Sequence, residues 1–414
     1  MTAGPARPRG LTILVAALTA LPALSIDMGL PALPAMAAAF GVGPEAAQLS
    51  IGLFLAGFAA AQLACGPLSD RFGRRPVLLA GLGLFAAAGL GCAAAPTLPV
   101  LLAGRVLQGV GACAGTVLAR AVIRDLFSGE AAAARLAQAA AIMALAPMLA
   151  PGVGVLVLSA LGWRAIFGLL GLCGLLLALA AALGLPETIP ARDRGALAPR
   201  VLARNAAGFF RCRQALGHAL VAAFLFGGMF AYVAASPFAL MQALGVGPAG
   251  FSALFALTAC GILAGSLASP RAVRAAGRRR VVLGGLGLGA AAGLLLLGSA
   301  VAGWSGIAAA VVPVALYTFA RGLVVPVATA AAMEPMGHAA GLASGLIGAL
   351  QMAAAALAAS GVGRFGDPLL GMGAVLALFG MAALACGLAA CGPARGLSGR
   401  AAGFARASAT AGGR

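Results

Sequence analysis

The chain has 414 residues, is 62% hydrophobic with a mean hydropathy of +1.06, and carries charge on only 9% of its residues. That composition excludes a soluble globular domain and places the chain in a bilayer. The net charge of +18 comes from 27 arginines set against nine acids. These arginines are scattered over loops between apolar stretches, so they read as topology signals and lipid contacts rather than a nucleic-acid surface.

A helix needs about 20 mainly apolar residues to cross the hydrocarbon. The sequence predicts twelve such spans, near 11–33, 49–67, 77–95, 99–119, 137–159, 165–185, 215–237, 250–268, 281–300, 305–328, 340–361 and 368–392. Span 1 follows Arg7 and Arg9 and resembles a signal peptide. It is read as a retained helix, because its loss would break the parity of the loops that follow. Arg71, Arg74 and Arg75 lie between spans 2 and 3, and Arg120, Arg124 and Arg135 between spans 4 and 5. Arginines 192 to 213 lie between spans 6 and 7, and arginines 271 to 280 between spans 8 and 9. The intervening loops hold only Arg164 and Arg364. The positive-inside rule then places both termini in the cytoplasm.

The hydrophilic stretch 187–213 separates residues 1–186 from 214–394, six spans each, with a cytoplasmic tail at 395–414. Two six-helix bundles around a midplane cavity are the arrangement expected of a rocking secondary transporter. A weak repeat supports it: Gly73-Arg74-Arg75 between spans 2 and 3 has a counterpart in Gly277-Arg278-Arg279 between spans 8 and 9. The eight cysteines show no metal-ligand spacing and read as apolar filler, and two histidines offer no metal or haem site. Neither a nucleophile–base set nor a phosphate loop is recoverable, so the expectation is a non-enzyme without cofactor, driven by an ion gradient.

Within span 1, Asp27 is the only acid well inside a predicted span. A charge centred in the bilayer costs about 2.5–3.5 kcal/mol on insertion scales, so Asp27 should face a cavity or a partner. It lies in the outer half, roughly 24 Å along the helix from Leu11 at 1.5 Å per residue. There it can carry a proton, or simply anchor the bundle. Arg105 lies at a comparable depth in span 4, with Gln108 on nearly the same face. The expectation is a buried polar pair facing the cavity, close enough to Asp27 to alter its proton occupancy. Arg321, in span 10, has no assigned role. Aromatic, Met and amide side chains of the spans, namely Gln62, Met143, Phe230, Tyr232, Tyr317 and Gln351, are the candidate cavity lining.

The run Gly66-Pro-Leu-Ser-Asp70-Arg71-Phe-Gly73-Arg74-Arg75 resembles the signature loop of the major facilitator superfamily, in the position that superfamily requires. Gly73 permits the tight turn. Asp70 among arginines suggests a charge lock that forms in one conformation and breaks in another. Arg105-x-x-Gln108-Gly109-x-Gly111 is similar to the superfamily's helix 4 motif. Ala146-x-x-x-Ala150-Pro151-x-x-Gly154 resembles the helix 5 motif of the drug:proton antiporter branch, with two Gly-to-Ala changes.

Further matches point to the Bcr/CflA family of drug exporters. They are Leu24-Ser-Ile-Asp27-Met-x-Leu-Pro31, Arg120-Ala-Val-Ile-Arg124-Asp125, Gly162-Trp163-Arg164 and Tyr232-Val-Ala-Ala-Ser236-Pro237. Gly341-x-Ala-Ser344-Gly-Leu-Ile-Gly348-x-x-Gln351 also fits. The resemblance implies an all-α, twelve-helix protein of the bacterial inner membrane, working as a single copy in lipid. It would export small drugs such as chloramphenicol, bicyclomycin or sulfonamides against protons, with Asp27 and Arg105 in proton coupling. A proton-coupled transporter of a small metabolite is the alternative.

Overall fold

A computed structural model describes residues 8–189, 199–304 and 306–391. Fourteen α-helices carry almost all of these residues: α1 (Pro8–Asp27), α2 (Leu33–Phe40), α3 (Pro44–Phe72), α4 (Arg74–Ala93), α5 (Leu98–Leu126), α6 (Gly129–Leu161), α7 (Trp163–Gly184), α8 (Pro199–Arg211), α9 (Arg213–Ser236), α10 (Pro248–Ala276), α11 (Arg278–Val301), α12 (Ile307–Met333), α13 (Ala340–Gly361) and α14 (Pro368–Ala390). No strand occurs among the described residues. Eleven helical segments are long and apolar enough to cross a bilayer, α1 and α2 counting together as one. The twelfth is α6, whose second half, Leu145–Leu161, is the apolar part. Helix α8 lies in the connector between the halves, while the tail at 395–414 falls outside the described residues.

Helix starts follow local chemistry. Pro44, Pro99, Pro248 and Pro368 sit in first turns, where a missing N–H costs nothing. The Asp367 carboxylate accepts from the backbone N–H groups of Leu369 (2.7 Å) and Leu370 (3.0 Å) at the start of α14. Single glycines join three hairpins: Gly73 (φ 106°), Gly162 (φ 81°) and Gly277 (φ 81°).

Several helices run past the expected spans. The segment Gly66–Phe72, expected as loop, is the last two turns of α3, and Arg120 to Asp125 lie within α5. Hydropathy measures where the hydrocarbon ends, whereas a helix continues until its backbone must turn. Span 1 departs in the opposite sense. The chain leaves the α-helix at Asp27, makes a short 3-10 turn at Leu30–Ala32, and resumes as α2. Pro31 and Pro34 lack the N–H groups that would continue α1.

Within the first half, α5 packs on α3 and α4, α4 on α7, and α1 on α6. The second half repeats this plan, with α12 on α10 and α11, α11 on α14, and α9 on α13 and α14. The halves meet along α3–α13 and α6–α10. At the arginine-poor end, segment 362–365 crosses onto α3 and segment 237–243 onto α2. At the arginine-rich end, α8 and segment 334–339 pack on their own half, and the ion pairs of Arg74 and Arg278 each stay within one half. The halves are joined at the arginine-poor end, and the α3–α13 seam continues from there as far as Gln62 against Gly345 and Gly348.

Candidate transport pathway

Asp27 is the last residue of α1 and is 6% exposed. No hydrogen bond or ion pair reaches its carboxylate among the described residues, so the break in the first span presents an acid without a protein partner. Across the interface it lies within electrostatic reach of Tyr232 on α9. Tyr232 is buried, stacks on Phe255 (5.5 Å between ring centroids, 18° between planes) and shares a hydrogen bond with Thr258 at 3.2 Å.

The next residue of the break, Met28, packs against α6. A β-carbon built on Gly154 would sit 2.2 Å from the Met28 carbonyl oxygen, so only glycine lets the two backbones touch. Ala146, Ala150 and Pro151 are buried in the same helix. Gly154, the last residue of the motif expected in α6, therefore holds that helix against the break that carries Asp27.

Arg105 does not join Asp27. It is 2% exposed inside the first half, where its Nε donates to the Ser50 carbonyl (3.1 Å). Its Nη1 donates to Ser25 Oγ (3.0 Å) and Gln108 Oε1 (2.6 Å). The guanidinium lies 4.4 Å from the Phe54 ring centre and 5.6 Å from that of Phe167. The expected pair with Gln108 forms, but it is sealed between α1, α3, α5 and α7 and lines no open space. Five donors demand acceptors once buried, and Ser25, two residues before Asp27, is one of them. Arg105 thus ties the end of α1 to α3 and α5 without meeting the acid.

At the arginine-rich end, Arg74 is the hub. It pairs with Asp70 and with Asp125 (3.0 Å), and donates to Ser69 Oγ (2.5 Å). The Glu187 carboxylate accepts from the backbone N–H groups of Arg74 (2.9 Å) and Arg75 (3.4 Å) at the start of α4. A β-carbon on Gly73 would collide with that carboxylate, at 2.3 Å. Arg75 donates to the Ala182 carbonyl (2.6 Å), and Arg71 lies over Phe72. Gly66 faces open space. Arg120, expected in this cluster, instead donates to the Thr116 carbonyl of its own helix. Asp125 and Glu187 do that work, and both stand out in the sequence as acids in a chain with only nine. The second half repeats the device, with Arg278 paired to Glu334 and Gln214 bonded to the same carboxylate.

The expected cavity lining divides. Tyr317 is fully buried inside the second half, its hydroxyl donating to the Phe224 carbonyl (3.4 Å), so it lines nothing. Gln62 is buried where α3 meets Gly348 of α13, in the seam between the halves. Phe230 is 6% exposed against Phe226, while Gln351 is half-buried. The side chain of Met143 lies outside the described residues. Sequence spacing missed Phe226, which carries Arg321 over its ring at 4.9 Å.

Comparison with known proteins agrees with this architecture. The family described as Major Facilitator Superfamily matches residues 15–359. An uncharacterized MFS-type transporter of Bacillus subtilis (strain 168), YdgK, is 34% identical over 371 residues, 88% of this chain and 91% of the relative. The bicyclomycin resistance protein homolog of Haemophilus influenzae is 30% identical over 83% of this chain and 86% of its own length. The chloramphenicol resistance protein of Pseudomonas aeruginosa is 33% identical over 78% of this chain and 76% of its own. Among solved structures, a D-xylose-proton symporter superposes with a TM-score of 0.68 at 17% identity, over 90% of this chain and 96% of that one. That last likeness speaks to the fold.

Proposed function

The chain belongs to the Major Facilitator Superfamily, and on that premise we propose that it exports small drugs or antibiotics from the bacterial cytoplasm in exchange for protons. It is a multi-pass membrane transporter, not an enzyme. Relatives named for bicyclomycin and chloramphenicol resistance support drug-like cargo. The observation that carries the coupling is the Asp27 carboxyl, buried at a helix break without a partner. An acid so placed is free to exchange a proton when its surroundings change, because no internal bond must first be broken.

In this reading the arginine-rich end is cytoplasmic, following the positive-inside rule. Cargo then enters between the halves from that side. Cargo and proton bind to different states of one rocking equilibrium, so each biases the other's occupancy. The Arg74 cluster and its Arg278 counterpart hold helix ends together within each half, so the halves move as bodies. The gradient supplies the energy, and a single copy in lipid suffices.

The test is accumulation of labelled chloramphenicol, bicyclomycin and a sulfonamide in an efflux-deficient bacterium expressing the chain. Accumulation of at least one compound should fall several-fold and recover when a protonophore is added. Accumulation equal to that of cells lacking the chain, for every compound, would contradict drug export. A fall that a protonophore does not reverse would contradict proton coupling.

A further inference from the structure

Two arginines lie inside the spans, and the structure treats them oppositely. Arg105 has its Nε and Nη1 hydrogen-bonded and two aromatic rings about its guanidinium. Arg321, near the middle of α12, has no hydrogen bond and no carboxylate partner among the described residues. Its Nε is sealed from solvent without an acceptor; the Phe226 ring lies against the guanidinium, and the Tyr317 hydroxyl, which donates to the Phe224 carbonyl, is within electrostatic reach without bonding to it. The residue as a whole is half-buried, so the two terminal nitrogens, which also lack partners, are the part that remains accessible. A guanidinium stays protonated, so this is a fixed positive charge waiting for a counterion.

Its direction follows from the helix. Val312 (52% exposed) and Leu316 (38%) mark the outward, lipid-facing stripe of α12. At 100° per residue Arg321 lies about 180° from Val312 and about 140° from Leu316, on the far side. There it meets α9, which has no exposed residue between 215 and 240 and hence no lipid face. Phe226 and Met229 are half-buried on α9, so what remains accessible of them lies inside the bundle rather than on a lipid face. Phe226 also packs on Phe230 at 5.2 Å, which continues the aromatic surface beneath the guanidinium.

We infer that Arg321 is a cargo-binding residue: its terminal nitrogens take an anionic oxygen group, a carboxylate or similar, while Phe226 and Phe230 take the flat apolar body attached to it. The inference rests on the transport reading above and narrows its cargo to compounds that carry an anionic group. A planar guanidinium over a ring presents two parallel donors in the geometry a carboxylate accepts. Such a contact forms away from bulk water, where an unpaired charge is costly and its neutralisation correspondingly favourable.

The test uses the purified full chain and three matched probes: naphthalene-2-carboxylate, the neutral naphthalene-2-carboxamide and naphthalen-2-ylmethylammonium. Binding to wild type should favour the carboxylate over the amide by at least ten-fold. Arg321→Gln should lower carboxylate affinity ten-fold or more and leave the amide unchanged, and Arg321→Lys should keep part of the preference. Equal binding of the three probes, tighter binding of the ammonium, or a preference surviving in Arg321→Gln would overturn the inference. So would a variant that is merely less stable at an unchanged probe ratio. If Arg321→Gln does not fold, the wild-type probe ratio and Arg321→Lys still decide. Proton flux in reconstituted vesicles separates this inference from the reading beneath it. Carboxylate preference without proton movement would remove the antiport and leave the site. Proton movement driven only by neutral or cationic compounds would remove the site and leave the antiport.

Discussion

Gly154 of α6 touches the backbone of Met28, the residue directly after Asp27. The Met28 carbonyl oxygen occupies space 2.2 Å from where a β-carbon on Gly154 would stand. Any side chain there pushes α6 away from the break or moves the break itself. Overpacking of this kind costs about 1–3 kcal/mol in a packed interior. Gly154→Val should therefore insert normally, unfold at a lower temperature and lose most export. Ala146→Gly and Ala150→Gly, which add no volume, should keep export within about two-fold. Export comparable to wild type in Gly154→Val would show that the contact between α6 and the first span is dispensable.

Arg105 is a structural fastener in this account. Truncation to Ala would strand the Ser50 carbonyl and the Gln108 amide and leave an unfilled space, a combination worth about 3–5 kcal/mol. The midpoint of thermal unfolding should drop sharply, and export should fall with it. Arg105→Lys keeps the charge but cannot reach Ser25, Ser50 and Gln108 together, so it should rescue only part of the stability. An Arg105→Ala variant as stable as wild type yet uncoupled from protons would return this residue to the coupling role suggested by its depth in the sequence.

The Arg74 cluster should govern rate rather than affinity. Its ion pairs with Asp70 and Asp125 are partly exposed, and pairs of that kind contribute about 0–1 kcal/mol to stability. Asp125→Asn and Asp70→Asn should each slow export several-fold, with drug affinity measured on purified protein changed less than two-fold. A large loss of affinity would place the cluster in the binding site and contradict its position at the end of the helices.

Topology can be read by labelling single cysteines from either side. Position 245, in the loop before α10, is a poor choice because Gly245 has φ 66° and a side chain there would be strained. The exposed Ala249 serves better at that end, and the exposed Ala275 at the other. In a background without the native cysteines, an impermeant maleimide should reach Ala249→Cys from outside intact cells. Ala275→Cys should react only after the membrane is opened. The reverse pattern would invert the whole orientation.

The all-helical, many-span character was legible because hydropathy reports on the bilayer, which acts on the chain locally. Helix ends were less so. Gly66–Phe72 is polar enough to read as loop, yet its backbone stays helical until Gly73, the first residue that can take φ 106°. Site residues divided along the same line. Asp27 stood out because an acid inside a span is costly wherever the chain folds. Pairing was different, since Arg105 and Asp27 share a depth but not a face of the bundle, and depth is all that residue counting gives. The acceptors of Arg105 lie 55 and 80 residues away in sequence at Ser50 and Ser25, a separation that no local pattern encodes. Tyr317 and Phe226 show the same limit in reverse, the tyrosine turning inward to the Phe224 carbonyl and the phenylalanine lying against Arg321.

The most direct measurement uses everted membrane vesicles that hold an imposed proton gradient, followed with a pH-sensitive dye. Chloramphenicol, bicyclomycin, a sulfonamide and an aromatic carboxylate would be added in turn to wild type and to Asp27→Asn. At least one compound should release protons in wild type and none should do so in the variant, with both proteins present at equal levels and equally stable. Proton release surviving in Asp27→Asn would contradict the assignment of the proton to Asp27.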